Sequence, residues 1–232
     1  MKAFIFDVDD TLYDQMQPFT NAYIKLFGKK SENTDKIFMA SRRYSDEVFE
    51  ASVNGLMTME EMYIYRTKKA LEEFGICVSD EAALKFQRYY EKFQMDIALS
   101  EKVKKLLSYL KGRARIGIVT NGPAEHQWNK VNALGLTEWI PRENIVISGE
   151  VHVTKPHKEI FDLAVNKMGL DKKETYFVGD SIENDIAGAA NAGWRTIWFN
   201  RREKEKTLSV EPDYTVYTEQ ELYSCVSRLE KK

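Results

Sequence analysis

Residues 4–12 read FIFDVDDTL, an apolar run that is followed at once by three carboxylates, Asp7, Asp9 and Asp10. The apolar run is typical of a buried strand that ends in a polar loop. Like charges this close together repel one another, and desolvation increases the cost. The stretch therefore predicts that a cation, a proton or an exposed turn compensates for the acids at this strand end.

Two other strong strand candidates end in small or polar residues in the same way. They are RIGIVTNG at 115–122 and TYFVGD at 175–180, and weaker candidates lie at 144–148, 195–199 and 214–218. Helical patterns separate them. One has an apolar face from Val103 to Leu110 after the capping residue Ser100, and another has Pro156 in its first turn and Gly169 at its end. Strands that alternate with helices predict an α/β fold with a doubly wound parallel sheet.

Residues 15–99 interrupt this alternation. They contain no convincing strand pattern, and helical segments are predicted at about 34–53, 59–75 and 80–96. Thr58 and Glu61 have the spacing of a capping box. We therefore predict an α/β core made of residues 1–14 and 100–232, with an all-helical domain of residues 15–99 inserted after the first strand.

The composition argues against several classes of protein. Thirty-four Lys and Arg residues against 36 Asp and Glu give a formal net charge of −2, so no overall field favours a nucleic acid polymer or an anionic membrane surface. Cys77 and Cys225 form neither a disulfide framework nor a zinc motif. No signal-peptide core or membrane span is evident. These features predict a cytoplasmic protein and leave its oligomeric state open.

Residues whose side chains could take part in catalysis or ligand binding lie at the ends of the predicted strands. Ligands of an open parallel sheet bind at the carboxyl ends of its strands. Carboxylates suit a hard cation, while hydroxyl, amide and ammonium groups suit an anion beside it, and Mg²⁺ with a phosphoryl group is the commonest such pair. The residues predicted at this edge are Asp7, Asp9, Thr120, Asn121, Lys155, Asp180 and Asp185.

Four short motifs in order, DVDDT, TN, KP and GDSIEND, resemble those of the haloacid dehalogenase-like (HAD) hydrolase superfamily. The helical insertion is similar to the C1-type cap of that superfamily. The resemblance implies a Mg²⁺-dependent phosphomonoester hydrolase that acts on a small phosphorylated metabolite through an aspartyl-phosphate intermediate. The chain is most similar to the pyrimidine 5'-nucleotidase-type branch, which implies a nucleoside monophosphate as substrate.

The resemblance also implies catalytic and phosphate-binding roles. Asp7 would be the nucleophile, and Asp9 would be the general acid to the leaving oxygen and then the base to the hydrolytic water. Lys155 would neutralise charge on the phosphoryl group and on Asp7. The hydroxyl of Thr120 and the backbone N–H of Asn121 would donate hydrogen bonds to phosphoryl oxygens.

The implied metal ligands are the carboxylates of Asp7 and Asp180 and the backbone carbonyl of Asp9. Asp185 would act indirectly, through a metal-bound water or by positioning Lys155. Phosphoryl transfer depends mainly on positioning and charge neutralisation, so a metal ion and one lysine are the expected components.

Several alternatives stay open at this level. Sugar phosphates, including acylneuraminate 9-phosphate, compete with nucleotides as the substrate, and a phosphomutase would use the same residues. Haloacid dehalogenation and phosphonate hydrolysis are disfavoured, because members of the superfamily with those activities lack the acid at the position of Asp9. From a different class, the chain could be a non-catalytic binding module, although such a module is expected to have lost part of the motif set.

Two features of the sequence are expected to have no catalytic or binding role. Asp10 stands where the superfamily usually has Gly, and we expect its side chain to face away from the phosphoryl group. The run RREKEK at 201–206 is interpreted as a solvated loop.

Overall fold

The computed structural model describes residues 1–207 and 209–231. The strands in these residues are β1 (Ala3–Phe6), β2 (Arg115–Thr120), β3 (Ile145–Ile147), β4 (Thr175–Gly179), β5 (Arg195–Phe199) and β6 (Tyr214–Val216). They form one sheet in the order β3-β2-β1-β4-β5-β6, and each neighbouring pair is parallel. This confirms the predicted α/β fold with a doubly wound parallel sheet.

Strand β1 lies in the middle of the sheet, where Phe6 is in register with Ile118 of β2 and Val178 of β4. The chain adds β2 and β3 on one side of β1 and then β4, β5 and β6 on the other, so the strand order reverses at β1. A crevice that binds ligands is expected there, at the carboxyl ends of the strands. Asp7 lies at this edge, and its backbone N–H donates to the Val178 carbonyl at 2.9 Å.

Five helices follow β1 before the chain returns to the sheet. They are α1 (Met16–Phe27), α2 (Thr34–Val53), α3 (Met59–Glu72), α4 (Asp80–Gln94) and α5 (Glu101–Leu110). The predicted all-helical insertion is therefore confirmed. The prediction missed α1, whose third residue is Pro18. The first turn of a helix tolerates proline, because an N–H there has no acceptor within the helix.

The chain divides into two compact units, one of residues 1–14 and 98–232 and the other of residues 15–97. The helical unit of residues 15–97 has its own aromatic core, in which Phe19 packs edge-on against Phe38, Phe86 and Tyr90. The capping box predicted at the start of α3 is present. The Thr58 side chain accepts from the Glu61 backbone, and the Glu61 carboxylate accepts from the Thr58 N–H at 2.8 Å.

The α/β unit of residues 1–14 and 98–232 contains α5 together with the remaining helices. The latter are α6 (Ala124–Ala133), α7 (Ser148–Val151), α8 (Lys158–Met168), α9 (Gly188–Asn191) and α10 (Glu219–Glu230), with a π-helical turn at Ile182–Ala187 and 3₁₀ turns at Leu136–Glu138, Arg142–Asn144 and Lys172–Glu174. Helix α8 packs Ile160, Phe161 and Ala164 with Ile5 and Phe177 of the sheet in one buried cluster. Burial of this face anchors the loop before α8 beside the sheet.

One predicted boundary was wrong. Helix α8 begins at Lys158, so Pro156 is not in its first turn and Lys155 lies in the preceding loop. A turn closed by the His157 N–H and the Thr154 carbonyl, at 2.9 Å, precedes the helix. The proline pattern that usually marks a helix start here marks this turn instead.

No helix in the described part of the chain is long and apolar enough to cross a membrane.

Candidate active site

Lys155 lies at the centre of a buried group of acids. Its ammonium donates to Asp7 Oδ1 at 2.7 Å and to Asp185 Oδ1 at 2.6 Å, and all three residues are at most 5% exposed. Burial alone would lower the pKa of Lys155, but the attraction of Asp185 and Asp7 and their hydrogen bonds raise it above its usual value. The lysine is therefore a fixed positive charge between two carboxylates.

Two local features place Lys155 and Asp185. The side chain of Asn121, just after β2, donates to the Lys155 carbonyl and accepts from the Lys155 N–H, each at 2.9 Å. A Cβ at Gly179, the last residue of β4, would lie 2.3 Å from Asp185 Oδ2. This oxygen also accepts from the Ser181 N–H at 3.0 Å. Glycine at position 179 thus lets the carboxylate approach the end of the strand.

A third carboxylate completes an acidic cluster. Asp7, Asp180 and Asp185 each place one oxygen so that the three atoms lie within 4.8 Å of one another. Burial raises the pKa of Asp7 to about 7. The attraction of Lys155 would lower this pKa, but repulsion from Asp185 and other nearby carboxylates opposes it. The cluster is therefore short of positive charge.

This donor set fits a small divalent cation. Mg²⁺ prefers oxygen ligands, of which carboxylates are the commonest in proteins, and a cation would relieve the repulsion among Asp7, Asp180 and Asp185. An anion site is also indicated. The hydroxyl of Thr120, at the carboxyl end of β2, is fully buried and has no hydrogen-bond partner among the described residues. Such an orphaned hydroxyl is unusual and is available to a phosphoryl oxygen.

The carboxylate of Asp9 is held apart from this cluster by a different set of groups. The Lys130 ammonium donates to both of its oxygens, at 2.7 and 2.6 Å. Tyr13 donates to Oδ1 at 2.5 Å and Gln127 donates to Oδ2 at 3.0 Å. Burial would raise the pKa of Asp9, but the charge and hydrogen bonds of Lys130, with those of Tyr13 and Gln127, hold it well below its usual range.

The interpretation of residues 201–206 as a solvated loop is wrong for Arg201, Arg202 and Lys204. Arg201 pairs with Glu219 at 3.4 Å and lies over the ring of Phe199. Arg202 donates to both carboxylate oxygens of Asp10, at 3.0 and 2.7 Å, and also to Asp14. Lys204 donates to Asp180 Oδ2 at 2.7 Å. A run of charges in a sequence does not show which carboxylates it meets after folding, and these lie as many as 192 positions away.

Asp10 therefore serves to bind this segment. Its backbone has φ of 56°, in the left-handed region that glycine adopts most readily and that Asp tolerates better than most residues. This φ is compatible with the Asp of this chain and would also suit the Gly expected from the superfamily. Burial raises the pKa of Asp180 to about 6. The attraction of Lys204 would lower this pKa, but repulsion from Asp10 and Asp185 opposes it.

The sequence predictions placed seven residues at this edge, and the structure groups them in three ways. Asp7, Lys155, Asp180 and Asp185 come together. Thr120 and Asn121 lie at the end of β2, and the Asn121 side chain binds the Lys155 backbone. The carboxylate of Asp9 is turned to α6. Four contributors had no predicted role in the site, Gln127, Lys130, Arg202 and Lys204, and the hydrogen bond of Tyr13 to Asp9 was not predicted.

The missed residues on α6 carried one readable signal. Gln127 and Lys130 are three positions apart, which places them on one face of a helix. That helix follows the TNG motif directly, but it was not among the predicted elements. Both residues are at most 3% exposed, and buried polar residues beside a catalytic motif mark a functional neighbourhood.

A family model described as a haloacid dehalogenase-like hydrolase matches residues 1–193. The chain belongs to the haloacid dehalogenase-like hydrolases. The superfamily indicated by the four motifs is thereby confirmed. Since the matched range includes β1 through the π-helical turn, it contains every residue of the acidic cluster.

Individual relatives agree with this assignment. Pyrimidine 5'-nucleotidase YjjG of Escherichia coli is 40% identical over 118 residues, which is 50% of this chain and 52% of that protein, so the match spans about half the length of this relative. A glyceraldehyde 3-phosphate phosphatase of Methanopyrus kandleri is 27% identical over 100% of this chain and 99% of its own.

A solved structure extends the likeness to the whole chain. The putative HAD-hydrolase YfnB of Bacillus subtilis, bound to magnesium, has a TM-score of 0.75 and 26% identity, and the alignment covers 97% of this chain and 98% of that one. The α/β unit and the helical insertion of this chain therefore both belong to an architecture known for HAD-like hydrolases.

Proposed function

We propose that this HAD-like hydrolase is a Mg²⁺-dependent phosphomonoester hydrolase that forms an aspartyl-phosphate on Asp7. The observation that carries the proposal is the buried group in which Lys155 binds Asp7 and Asp185 while Asp180 supplies a third carboxylate. A nucleophile, a fixed ammonium and a cluster suited to a hard cation are the parts that phosphoryl transfer needs.

In the first step the carboxylate of Asp7 attacks phosphorus, and the bond from phosphorus to the leaving oxygen breaks. Asp9 gives a proton to that oxygen. In the second step a water molecule attacks the aspartyl-phosphate and passes its proton to Asp9, which releases inorganic phosphate and restores Asp7. Lys155, 2.7 Å from Asp7, orients the nucleophile and offsets negative charge on the phosphoryl group in both steps.

The proposed phosphate donors are the Thr120 hydroxyl and the Asn121 backbone N–H. The Thr120 hydroxyl is buried without a partner among the described residues, so a phosphoryl oxygen would satisfy it. The Asn121 side chain is already committed to the Lys155 backbone, so the group of Asn121 proposed to bind the substrate is its backbone N–H.

The proposed ligands of Mg²⁺ are the carboxylates of Asp7 and Asp180 and the backbone carbonyl of Asp9. When bound, the ion would neutralise charge on the phosphoryl group and favour the ionised form of Asp7. Asp185 is proposed to act by holding Lys155, which it contacts at 2.6 Å. The magnesium bound to the related YfnB structure supports the choice of metal.

The direct test is turnover of p-nitrophenyl phosphate. We expect activity that requires Mg²⁺, is abolished by EDTA and falls at least about 10³-fold in Asp7→Asn, because the nucleophile is lost. Asp162→Asn is a matched control, since Asp162 is an Asp in the same unit that pairs with Lys158 and Lys172 on the surface. Wild-type protein without metal-dependent turnover would favour the non-catalytic binding module, and full activity in Asp7→Asn would exclude the aspartyl-phosphate.

We further propose a nucleoside monophosphate as the substrate, with the helical unit acting as a C1-type cap that sets specificity. The 40% identity to pyrimidine 5'-nucleotidase YjjG supports this choice. The full-length match to a glyceraldehyde 3-phosphate phosphatase supports a phosphorylated sugar as the second candidate.

A substrate panel separates these candidates. Nucleoside monophosphates, glyceraldehyde 3-phosphate and acylneuraminate 9-phosphate are compared by kcat/KM at saturating Mg²⁺. We expect a nucleoside monophosphate to rank first, and a sugar phosphate in that position contradicts the choice. Transfer of the phosphoryl group to a second sugar molecule, and not to water, would identify a phosphomutase.

A further inference from the structure

We propose that Lys130 is a positioning residue that fixes the Asp9 carboxylate as the base for hydrolysis of the aspartyl-phosphate; this inference rests on the proposed function. Lys130 lies on α6, outside the four motifs, and neither the motifs nor the comparisons give it a role. It is 3% exposed, and its ammonium donates to both oxygens of Asp9.

The geometry around Asp9 is that of an anion held by several donors. Both oxygens receive the Lys130 ammonium, one also receives the Tyr13 hydroxyl and the other also receives the Gln127 amide. Gln127 also donates to the Asn121 carbonyl at 2.6 Å, so this group is tied to the loop after β2. These hydrogen bonds fix both the position and the orientation of the Asp9 carboxylate.

The two chemical steps place opposite demands on Asp9. In the first step Asp9 gives a proton to the leaving oxygen, and in the second it takes one from the attacking water, for which its carboxylate must be correctly placed. Lys130 serves the second demand. It stays outside the reacting atoms and acts only through Asp9, which defines it as a positioning residue.

Burst kinetics with p-nitrophenyl phosphate separate the two steps. The p-nitrophenolate anion leaves without a proton, so formation of the aspartyl-phosphate does not depend on Asp9, whereas hydrolysis does. In Lys130→Met we expect steady-state kcat to fall by about 10²-fold, the usual result of misplacing a catalytic group. The rate of the p-nitrophenol burst stays close to wild type, and its amplitude rises to one equivalent per enzyme molecule.

Two further variants distinguish positioning from a structural role. In an Asp9→Asn background, Lys130→Met is expected to cause no additional loss of kcat, because residues that act as a unit are not additive. Lys130→Arg is expected to recover most of the activity, since a guanidinium also donates to both oxygens of a carboxylate. Lys111→Met is the matched control, because that lysine binds only the Glu138 carbonyl among the hydrogen bonds found for it.

These measurements distinguish a failure of the proposed function from a failure of the positioning role of Lys130. If wild-type protein has no Mg²⁺-dependent turnover, the proposed function is wrong and this inference falls with it. If wild-type protein turns over but Lys130→Met slows the burst and the steady state equally, or loses further activity in the Asp9→Asn background, only the positioning role is wrong. Lys130→Gln, which keeps a neutral donor, replaces Lys130→Met if thermal melting shows that the latter does not fold.

Discussion

Asp7 and Asp9 are two residues apart in the chain, yet the structure places their carboxylates in opposite electrostatic surroundings. Around Asp7 one lysine faces several buried carboxylates, and the pKa of Asp7 rises to about 7. Around Asp9 a lysine, a tyrosine and a glutamine all donate, and the pKa of Asp9 falls well below its usual range. The residue type is the same, so the neighbours brought together by folding decide the difference.

The contrast separates the two proposed tasks. The cluster around Asp7 is short of positive charge, which favours binding of a cation where the proposed nucleophile lies. The Asp9 carboxylate already accepts hydrogen bonds from three side chains and gains little from a cation, which suits a proposed base that is held in a fixed position. Changes to the two surroundings should therefore have different effects on turnover, stability and metal affinity.

The largest effect is expected from removing the cation beside Asp7. In Lys155→Met the carboxylates of Asp7 and Asp185 lose their shared partner inside the protein, so we expect turnover to fall to background. The free energy of unfolding should also drop by about 3–5 kcal/mol, a cost typical of breaking a buried ion pair. Urea denaturation of the metal-free protein measures the second effect.

Lys158→Met is the control for that experiment, because Lys158 pairs with Asp162 on the surface and exposed pairs contribute little. We expect its turnover and stability to match wild type. Equal stability of Lys155→Met and Lys158→Met would mean that the buried pair does not hold the cluster together.

A smaller effect is expected from displacing Asp185 without changing any charge. Because a Cβ at position 179 would lie 2.3 Å from Asp185 Oδ2, Gly179→Ala must push this carboxylate away from Lys155. We expect kcat to fall by about 10²-fold, as for other misplacements of about 1 Å in catalytic groups. Steady-state kinetics at saturating Mg²⁺ measure it.

Gly135→Ala serves as the comparison variant. Its φ of 62° makes alanine costly there, but in the part of the chain that the structure describes a Cβ would meet no other atom within 4 Å. It should therefore lose stability and keep its kcat. An unchanged kcat in Gly179→Ala would show that the position of Asp185 does not matter for turnover.

The smallest effect is expected from a change of pH alone. Asp7 and Asp180 have pKa values raised to about 7 and about 6, and metal ligands must be deprotonated to bind. Mg²⁺ affinity should therefore rise with pH through this range, by at most about tenfold per pH unit for each proton released. Isothermal titration calorimetry at pH 5.5, 6.5 and 7.5 measures the affinity.

The stability of the metal-free protein should change in the opposite direction. A carboxylate whose folded pKa is raised favours the folded state below its unfolded pKa, and that contribution is lost as pH rises through about 6 to 7. Stabilisation by Mg²⁺, measured as the rise in Tm, should thus grow from pH 5.5 to 7.5. A Mg²⁺ affinity that is flat over this interval would contradict the raised pKa values.

Much of the fold could be predicted from local patterns. Each strand of the described residues was expected from an apolar run, and the helix caps at Thr58 and Ser100 were expected from spacing alone. Helix α1 was missed because Pro18 obscures its pattern, and the start of α8 was misplaced because Pro156 precedes a turn. These errors concern elements whose boundaries depend on packing and turn closure.

The residues of the candidate site also differ in whether they could be predicted from the sequence. Residues at strand ends, such as Asp7 and Asp180, could be predicted to meet, because parallel strands bring their carboxyl ends to one edge of the sheet. Lys130 and Arg202 could not, because their positions are set by the packing of α6 and by the path of the loop after β5, and not by a strand end.

The α/β class, the place of the helical insertion and the set of strand-end residues follow from the sequence alone, because hydrophobic periodicity and short motifs indicate them. The surroundings of each of the three acids in FIFDVDDTL depend on the tertiary structure. Asp7 lies with Lys155 in an acidic cluster, Asp9 is bound by Lys130 and Asp10 is bound by Arg202. Electrostatic interactions depend on distance in space, and folding sets that distance.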